Sequence, residues 1–254
     1  MRTWVVALIC ALGTFAAGTP SATGVAFAKD GHECMTSAGA VRPDFALPHV
    51  AEAISRQKLD IAVIGSASSE LNGPEGTCIA YPTWLESALR MILPDVAVKV
   101  ATHARTREIA AEMEVKLKRI LVEAKPALVV WQTGTADAIR GVAPEDFRMA
   151  LDDGVDRSQA VGVNVVFMNM QYSPRTEAML AVGAYAHAMR MIALQREVVL
   201  FDRFSIMKRW NANGVFDLYA ATRHTDIAQQ VHDCLGRLLA QVVFAGAKMA
   251  MPPK

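Results

Sequence analysis

Three stretches of the sequence carry residue types that nucleophilic catalysis uses. The first is the turn at residues 65–69, where three serines follow the apolar run 60–64. The second is the loop at residues 131–137, which holds a glycine and two threonines, and the third is His224, shortly before the last helical pattern. A serine becomes nucleophilic at neutral pH when a nearby base accepts its proton. These stretches therefore raise the question of whether the chain hydrolyses esters.

An alternation of short apolar runs and longer amphipathic segments predicts the elements that position these stretches. Runs rich in Val, Ile and Phe predict strands at residues 60–64, 96–102, 127–132, 164–170 and 198–201. Helical patterns lie at residues 47–57, 81–92, 107–124, 144–161, 176–197 and 226–245. This order predicts a parallel sheet with helices on both faces. In such a sheet the functional crevice lies at the carboxyl ends of the strands, where the serine turn and the 131–137 loop meet.

The N-terminal pattern is typical of a secretory signal peptide. Arg2 precedes a nearly all-apolar stretch at residues 4–17, and Ala26-Phe27-Ala28 forms a small-x-small cleavage site. We expect cleavage after Ala28 and a periplasmic or secreted protein with no stable membrane span; the alternative is an uncleaved anchor. The expected organisation is a signal peptide at 1–28, an N-terminal arm and helix at 29–57, and one domain at 58–254.

The composition of the mature chain restricts its partners and its redox chemistry. Removing Arg2 leaves 26 − 1 = 25 basic residues against 25 acidic ones, and a net charge near zero does not favour nucleic acid. Cys34, Cys78 and Cys234 remain. In an oxidising compartment we expect a disulfide between Cys34 and Cys78, with Cys234 as a buried thiol; three free thiols are the alternative. No spacing of Cys and His indicates a metal site, and no cofactor is expected.

The serine turn, the 131–137 loop and the late histidine together resemble the SGNH, or GDSL-type, hydrolase family, above all its exported bacterial members. The resemblance covers nearly all of residues 58–245 and includes Ala80-Tyr81-Pro82. It implies a three-layer α/β/α sandwich with a five-stranded parallel sheet of flavodoxin-like order. It also implies that the family's catalytic positions correspond here to Gly65, Ser66, Ala67, Ala104, Gly134, Ala136, Ala221 and His224.

Most of the residues that carry out the family's chemistry are substituted. Ala67 stands at the nucleophile, Ala136 at the oxyanion asparagine and Ala221 at the aspartate that orients the histidine, while the loop around Ala104 lacks the oxyanion glycine. These losses remove the nucleophile and the donors that stabilise the transition state. The resemblance therefore implies a catalytically degenerate protein that binds a small molecule or glycan, such as an acylated glycan or another envelope ester.

A shift of one residue in the serine turn defines the alternative. Ser68 or Ser66 would then be the nucleophile of an active esterase. His224 would be the base, with Asp226 or Asp217 as the orienting acid. A third interpretation is that the serine hydroxyls only cap the following turn. Polar residues in the loops after the strands are candidate ligand contacts: Arg105, Asp137, Gln171 and Tyr172.

Overall fold

The computed structural model describes Cys34 and residues 41–73, 78–219 and 225–252; the candidate signal peptide, Ala221 and His224 lie outside these residues. The strands are β1 (Lys58–Gly65), β2 (Ala97–Ala104), β3 (Leu128–Gln132), β4 (Asn164–Met168) and β5 (Val199–Phe201). The helices are α1 (Pro48–Ser55), α2 (Tyr81–Ile92), α3 (Ala110–Glu123), α4 (Thr135–Arg140), α5 (Pro144–Ala160), α6 (Pro174–Met179), α7 (Gly183–Gln195), α8 (Arg203–Ala212) and α9 (Thr225–Ala250). A 3₁₀ turn, Ala67–Ser69, follows β1 directly.

The five strands form one parallel sheet in the order β2-β1-β3-β4-β5. This is the flavodoxin-like order, and the predicted α/β architecture is confirmed. Every residue of β3 is buried, as expected for a central strand with helices on both faces. The register places Gly65 beside Ala104 and Gln132 beside Met168, so the ends of β1 to β4 meet at one edge of the sheet.

The core consists of two apolar layers, one on each face of the sheet. One layer contains Leu85 of α2, Trp210 of α8 and Leu239 of α9. The other contains Leu117 of α3 and Leu151 of α5, together with buried residues of α7. The two layers explain the near-continuous apolar runs of the strands, because the side chains on both faces are removed from water.

Helix α9 packs closely against α2. A Cβ atom at Gly236 would lie 2.7 Å from the carbonyl oxygen of Tyr81 and 2.7 Å from the amide nitrogen of Leu85. The absence of a side chain at Gly236 therefore permits the two backbones to touch. None of the helices in the described ranges has both the length and the apolar character of a membrane span.

One predicted helix was wrong, and two helices, α4 and α8, were not predicted. The segment 176–197 forms two helices, α6 and α7, because Leu180 adopts an extended conformation with φ −125° and ψ 131°. Helix α8 was not predicted, since its sequence mixes polar and apolar residues without a clear period. The side chain of Asp202 caps α8 by accepting a hydrogen bond from the amide of Ser205.

The outer edge of β2 is covered by two side chains of α2. Glu86 Oε2 accepts a hydrogen bond of 2.7 Å from the amide of Val100. Arg90 donates from Nε and Nη2 to the carbonyl of Val98, at 3.2 and 3.1 Å. Glu86 and Arg90 also pair with each other at 2.6 Å.

The expected Cys34–Cys78 disulfide is wrong, because Cys34 bonds to Cys234 of α9. The Cα atoms of Cys34 and Cys234 are 5.3 Å apart, a separation that suits a disulfide. Cys78 is exposed before α2, and its sulfur accepts a hydrogen bond of 3.3 Å from Thr83. Cys34 packs instead against the core layer that includes α9, so packing determined the pairing.

Candidate functional site

The ends of β1, β2 and β3 bring the serine turn against Gln132. The amide of Arg105, just after β2, donates to the carbonyl of Gly65 at 3.2 Å. A Cβ at Gly65 would lie 2.1 Å from Ser69 Oγ and 3.0 Å from Gln132 Oε1. Only a residue without a side chain lets Ser69 and Gln132 approach the end of β1 this closely.

The side-chain carbonyl of Gln132 is the centre of a buried hydrogen-bond network. Its Oε1 accepts from the amide of Ser66 at 3.0 Å, from Ser68 Oγ at 3.1 Å and from Ser69 Oγ at 3.0 Å. A backbone N–H can only donate, which fixes the oxygen of the amide on this side. Since Ser69 donates to Gln132, the Tyr81 hydroxyl donates to Ser69, at 3.0 Å. The serines therefore bond to Gln132 rather than capping the 3₁₀ turn, which has no side-chain cap.

Arg203 is a fully buried cation without an acidic partner in the described structure. Its Nη1 donates to Ser68 Oγ at 3.0 Å and its Nε to the carbonyl of Asn169 at 3.1 Å, while Nη2 has no hydrogen-bond partner. The neighbouring carboxylate of Asp202 pairs with Arg190 at 3.0 Å instead. Burial lowers the pKa of Arg203 to about 10, so the guanidinium is charged at neutral pH.

His232 lies beside Tyr81 and is held in one tautomer. Its Nδ1 accepts a hydrogen bond of 3.1 Å from the amide of Tyr81, so the ring hydrogen of the neutral imidazole is on Nε2. Burial, and then the charge of Arg203, lower the pKa of His232 to about 3. Burial raises the pKa of the Tyr81 hydroxyl to about 12. We call Ser68, Ser69, Tyr81, Gln132, Arg203 and His232 the Arg203 cluster.

A small pocket of about 280 Å³ opens beside the Arg203 cluster. Ser68 and His232 contribute polar groups to it, whereas most of the remaining surface is apolar. The lining consists of Ala67, Ser68, Leu71, Gln171, Tyr172, Ser173, Met207, Leu218, Ala228, Val231 and His232. Larger grooves lie beside α2 and β2 and at the amino-terminal edge of the sheet, but neither is lined by residues of the Arg203 cluster.

Comparison with known proteins identifies the family. A model described as the non-GDSL lipase-like family matches residues 33–249. The chain belongs to this family. Its predicted resemblance to the SGNH/GDSL-type hydrolases is thereby confirmed.

The similar proteins are esterases by their names. Esterase TesA of Pseudomonas aeruginosa is 28% identical over 115 residues, which make up 42% of this chain and 55% of TesA. The match thus spans about half the length of that curated relative. A crystal structure of a catalytic mutant of Axe2, an acetylxylan esterase from Geobacillus stearothermophilus, is 14% identical, covers 73% of this chain and 94% of that chain, and has a TM-score of 0.61. At this identity the likeness to Axe2 shows the fold alone.

In the described part of the chain, Ser68 makes no hydrogen bond to a base. Its hydroxyl hydrogen points to an amide carbonyl, which is not a base, and its oxygen accepts from a guanidinium. His232, the histidine that lines the same pocket, has its Nδ1 occupied and a pKa too low for a base at neutral pH. His224, the base of the alternative mechanism, lies outside the described residues.

Four other positions correspond, by the resemblance to SGNH hydrolases, to catalytic residues, and they offer only backbone and methyl groups. Ala67 is exposed and lines the pocket, and Ala104 ends β2 half-buried beside Gly65. Gly134 has a φ of +102° and precedes α4, in which Ala136 is buried. The side chain of Ala136 therefore offers no hydrogen bond where the family has an asparagine.

The prediction that Asp137 contacts a ligand is wrong, because its side chain is fully buried and bonded within the protein. Its Oδ1 accepts from the amide of Ala110 at 2.9 Å; its Oδ2 accepts from Thr133 Oγ1 and from the amide of Gly134, both at 3.2 Å. Burial raises the pKa of the carboxyl despite these bonds. We call Ala110, Thr133, Gly134 and Asp137 the Asp137 cluster; it ties α3 to the start of α4.

The other candidate ligand contacts fall on different sides of the crevice. Gln171 and Tyr172 line the pocket, and the ring of Tyr172 packs edge-on against Phe204. Arg105 is exposed and pairs with Glu112 at 3.1 Å, away from the pocket lining. In the described ranges no three His, Cys, Asp or Glu side chains lie together as a metal site requires.

Sequence reasoning missed the residues that form most of the site. Gln132 was the last residue of a predicted strand, and Arg203 lay just after another predicted strand, outside every motif. Ser68 and Arg203 are separated by 135 residues in sequence, so no local motif joins them. The one available signal was position, since both Gln132 and Arg203 follow or end strands whose carboxyl ends border the crevice.

Proposed function

We propose that this protein is an exported, non-hydrolytic member of its family that binds an acylated ligand in the crevice. The observation that carries the proposal is the bonding of Ser68. Its hydroxyl lies between Arg203 and Gln132, at 3.0 and 3.1 Å, and contacts no base among the described residues. An activated serine requires the opposite arrangement, in which the hydroxyl hydrogen points to a histidine.

The substituted positions support the loss of hydrolysis independently of Ser68. Ala67 carries no nucleophile, and Ala136 has no side-chain donor for an oxyanion. Loss of the nucleophile alone lowers the turnover of a serine hydrolase by about 10⁶-fold. Loss of one oxyanion donor lowers it by a further factor of about 10² to 10³.

The pocket supports a binding role. It remains open at about 280 Å³ although the nucleophile position is an alanine. Its apolar walls suit an acyl chain, and its polar residues suit an ester or glycan oxygen. The related fold of Axe2, named an acetylxylan esterase, makes an O-acylated glycan or another envelope ester our proposed ligand class.

Export is part of the same proposal. The pattern around residues 4–17 and Ala28 supports a cleaved signal peptide. The Cys34–Cys234 disulfide fits an oxidising compartment, where such bonds persist. Mass spectrometry of the protein from a periplasmic fraction should show an N-terminus at Lys29; an intact Met1 in the cytoplasmic fraction would contradict export.

Hydrolysis of short p-nitrophenyl acyl esters tests the catalytic part of the proposal. We expect wild type, Ser68→Ala and His224→Ala to match the buffer rate. Ser87→Ala, at an exposed position on α2, is the control for a serine outside the site. Turnover by wild type and the control that both Ser68→Ala and His224→Ala abolish would instead establish the esterase.

Thermal unfolding with acetylated xylo-oligosaccharides tests the binding part. We expect these ligands to raise the Tm, and their chemically deacetylated counterparts to have no effect. Equal shifts with both sets would show that acyl groups are not recognised.

A further inference from the structure

The pocket beside the Arg203 cluster combines an apolar wall with a polar floor, formed by Ser68 and His232 with the buried Arg203 behind Ser68. Leu71, Met207, Leu218 and Val231 supply the wall. Its described lining contains no aspartate or glutamate. Arg203 bonds directly to Ser68 and so places a positive charge behind this floor.

The charge of Arg203 has no counter-ion in the described structure. Its partners are the neutral oxygens of Ser68 and Asn169, and its Nη2 is buried without a partner. Burying a cation in this way is costly unless a negative group compensates it. Asp202, the acidic residue adjacent in sequence, bonds to Arg190, Asn169 and Ser205, so its carboxylate does not pair with Arg203.

His232 adds a neutral donor to the same floor. It is 4% exposed and lines the pocket, and the amide of Tyr81 occupies its Nδ1. The hydrogen therefore resides on Nε2, and no group in the described ranges accepts it. A ligand oxygen is the acceptor that this donor lacks.

Ser68 can become a second donor without breaking the network around Gln132. A carbonyl oxygen has two lone pairs, yet Gln132 Oε1 has three donors. If the Ser68 hydroxyl turns its hydrogen to a ligand, the Ser66 amide and Ser69 still satisfy Gln132. Ser68 would continue to accept a hydrogen bond from Arg203. The charge of Arg203 would strengthen the hydrogen bond that Ser68 donates to the ligand.

We propose that this pocket binds the ionised carboxylate of a small aliphatic acid, the acyl half of an ester after its release. The carboxylate accepts hydrogen bonds from Ser68 and His232 and neutralises Arg203, while the aliphatic chain packs against the apolar wall. A pocket of about 280 Å³ lies just below the usual range for drug-sized ligands, which suits a short chain. The inference rests on the proposed function in that the crevice retains a ligand without cleaving it.

Calorimetry with ligands of one chain length tests the head group. The probes are hexanoate, methyl hexanoate and 1-hexanol, titrated into the wild-type protein at neutral pH. We expect hexanoate to bind at least tenfold more tightly than the ester or the alcohol. Equal affinities, or no binding of hexanoate, would overturn the proposal.

Variants test the three residues of the floor. Arg203→Gln and Ser68→Ala should each weaken hexanoate binding at least tenfold, and His232→Phe should weaken it by a smaller factor. Ser68→Ala removes only a hydroxyl, so it answers the question even if Arg203→Gln does not fold. Arg105→Gln, an exposed arginine at the same edge of the sheet, is the matched control and should bind as wild type does. Unchanged binding by Ser68→Ala would contradict the assignment of the floor.

The outcomes separate this inference from the proposed function. Binding of acetylated glycan without binding of hexanoate would overturn the carboxylate site and leave the proposed function standing. Binding of hexanoate by a protein that hydrolyses esters would overturn the proposed function and retain the site, now as a product site.

Discussion

Two buried polar clusters lie at the carboxyl edge of the sheet. They differ in whether every polar atom of the central charged side chain has a hydrogen-bond partner. In the Asp137 cluster, three donors converge on one carboxylate. In the Arg203 cluster, a guanidinium has two neutral acceptors and one nitrogen without a partner. Both clusters lie at the strand ends where the resemblance to SGNH hydrolases predicts the catalytic positions.

We interpret this difference as that between a structural cluster and the proposed ligand-binding one. A buried polar network whose members are satisfied stabilises one arrangement of the elements around it. A buried charge without a partner lowers stability, and such groups persist where function requires them. The Asp137 cluster thus joins α3 to α4, whereas the Arg203 cluster presents donors to a pocket.

The pH dependence of stability should show the largest effect, through His232. The folded state has a His232 pKa of about 3, below the ordinary value of 6.5, so the unfolded chain binds more protons between these values. Stability from this group is therefore complete above pH 6.5 and falls as the pH decreases toward 3, by on the order of 5 kcal/mol. Urea unfolding from pH 7 to pH 4 should show a smaller decline for His232→Gln than for wild type.

The exposed His187 provides the control for that series. His187→Gln should retain the wild-type slope of stability against pH. Equal slopes for wild type and His232→Gln would contradict the assignment of the decline to His232.

Asp137→Ala should have the next largest effect, because it leaves three buried donors without an acceptor. We expect a loss of about 3 kcal/mol in the free energy of unfolding by urea. Asp137→Asn keeps one acceptor oxygen and should lose less. A loss below about 1 kcal/mol for Asp137→Ala would remove the distinction between the two clusters.

Arg203→Met should change stability by less than about 1 kcal/mol, although Arg203 is as deeply buried as Asp137. The lost hydrogen bonds to Ser68 and Asn169 are offset by removal of an uncompensated buried charge. Urea unfolding beside Asp137→Ala gives the direct comparison. A loss as large as that of Asp137→Ala would mean that the Arg203 cluster is structural as well.

Ala67→Ser should have the smallest effect, with no measurable gain in ester hydrolysis. The restored hydroxyl would still lack the side-chain oxyanion donor that Ala136 does not supply. The p-nitrophenyl ester assay checks this prediction, with wild type as the baseline. Substantial turnover would show that the crevice retains more of the family's machinery than its side chains indicate.

Much of the fold could be predicted because it depends on local patterns. The apolar runs located all five strands, and the predicted helix at 81–92 coincides with α2. The Cys34–Cys234 bond could not be predicted from spacing, since it joins residues 200 apart in sequence. The packing of the N-terminal arm against α9 determines it.

The site was harder to predict than the fold because its contacts are long-range. The serine turn was located correctly, and Gln171 and Tyr172 do line the pocket. Neither the role of Gln132 nor the burial of Arg203 has a local signature; each depends on which strand ends lie side by side. Asp137 was misinterpreted for the same reason, since its partner Ala110 belongs to another helix.

The ion pair of Glu86 and Arg90 restricts how two molecules of this protein can associate through the edge of the sheet. The edge of a sheet is a template on which a strand from another chain can form hydrogen bonds. Here the Val100 amide and the Val98 carbonyl are already occupied by α2. A strand of a second molecule could pair with β2 only after displacing both side chains. The Glu86–Arg90 pair therefore opposes aggregation through this edge.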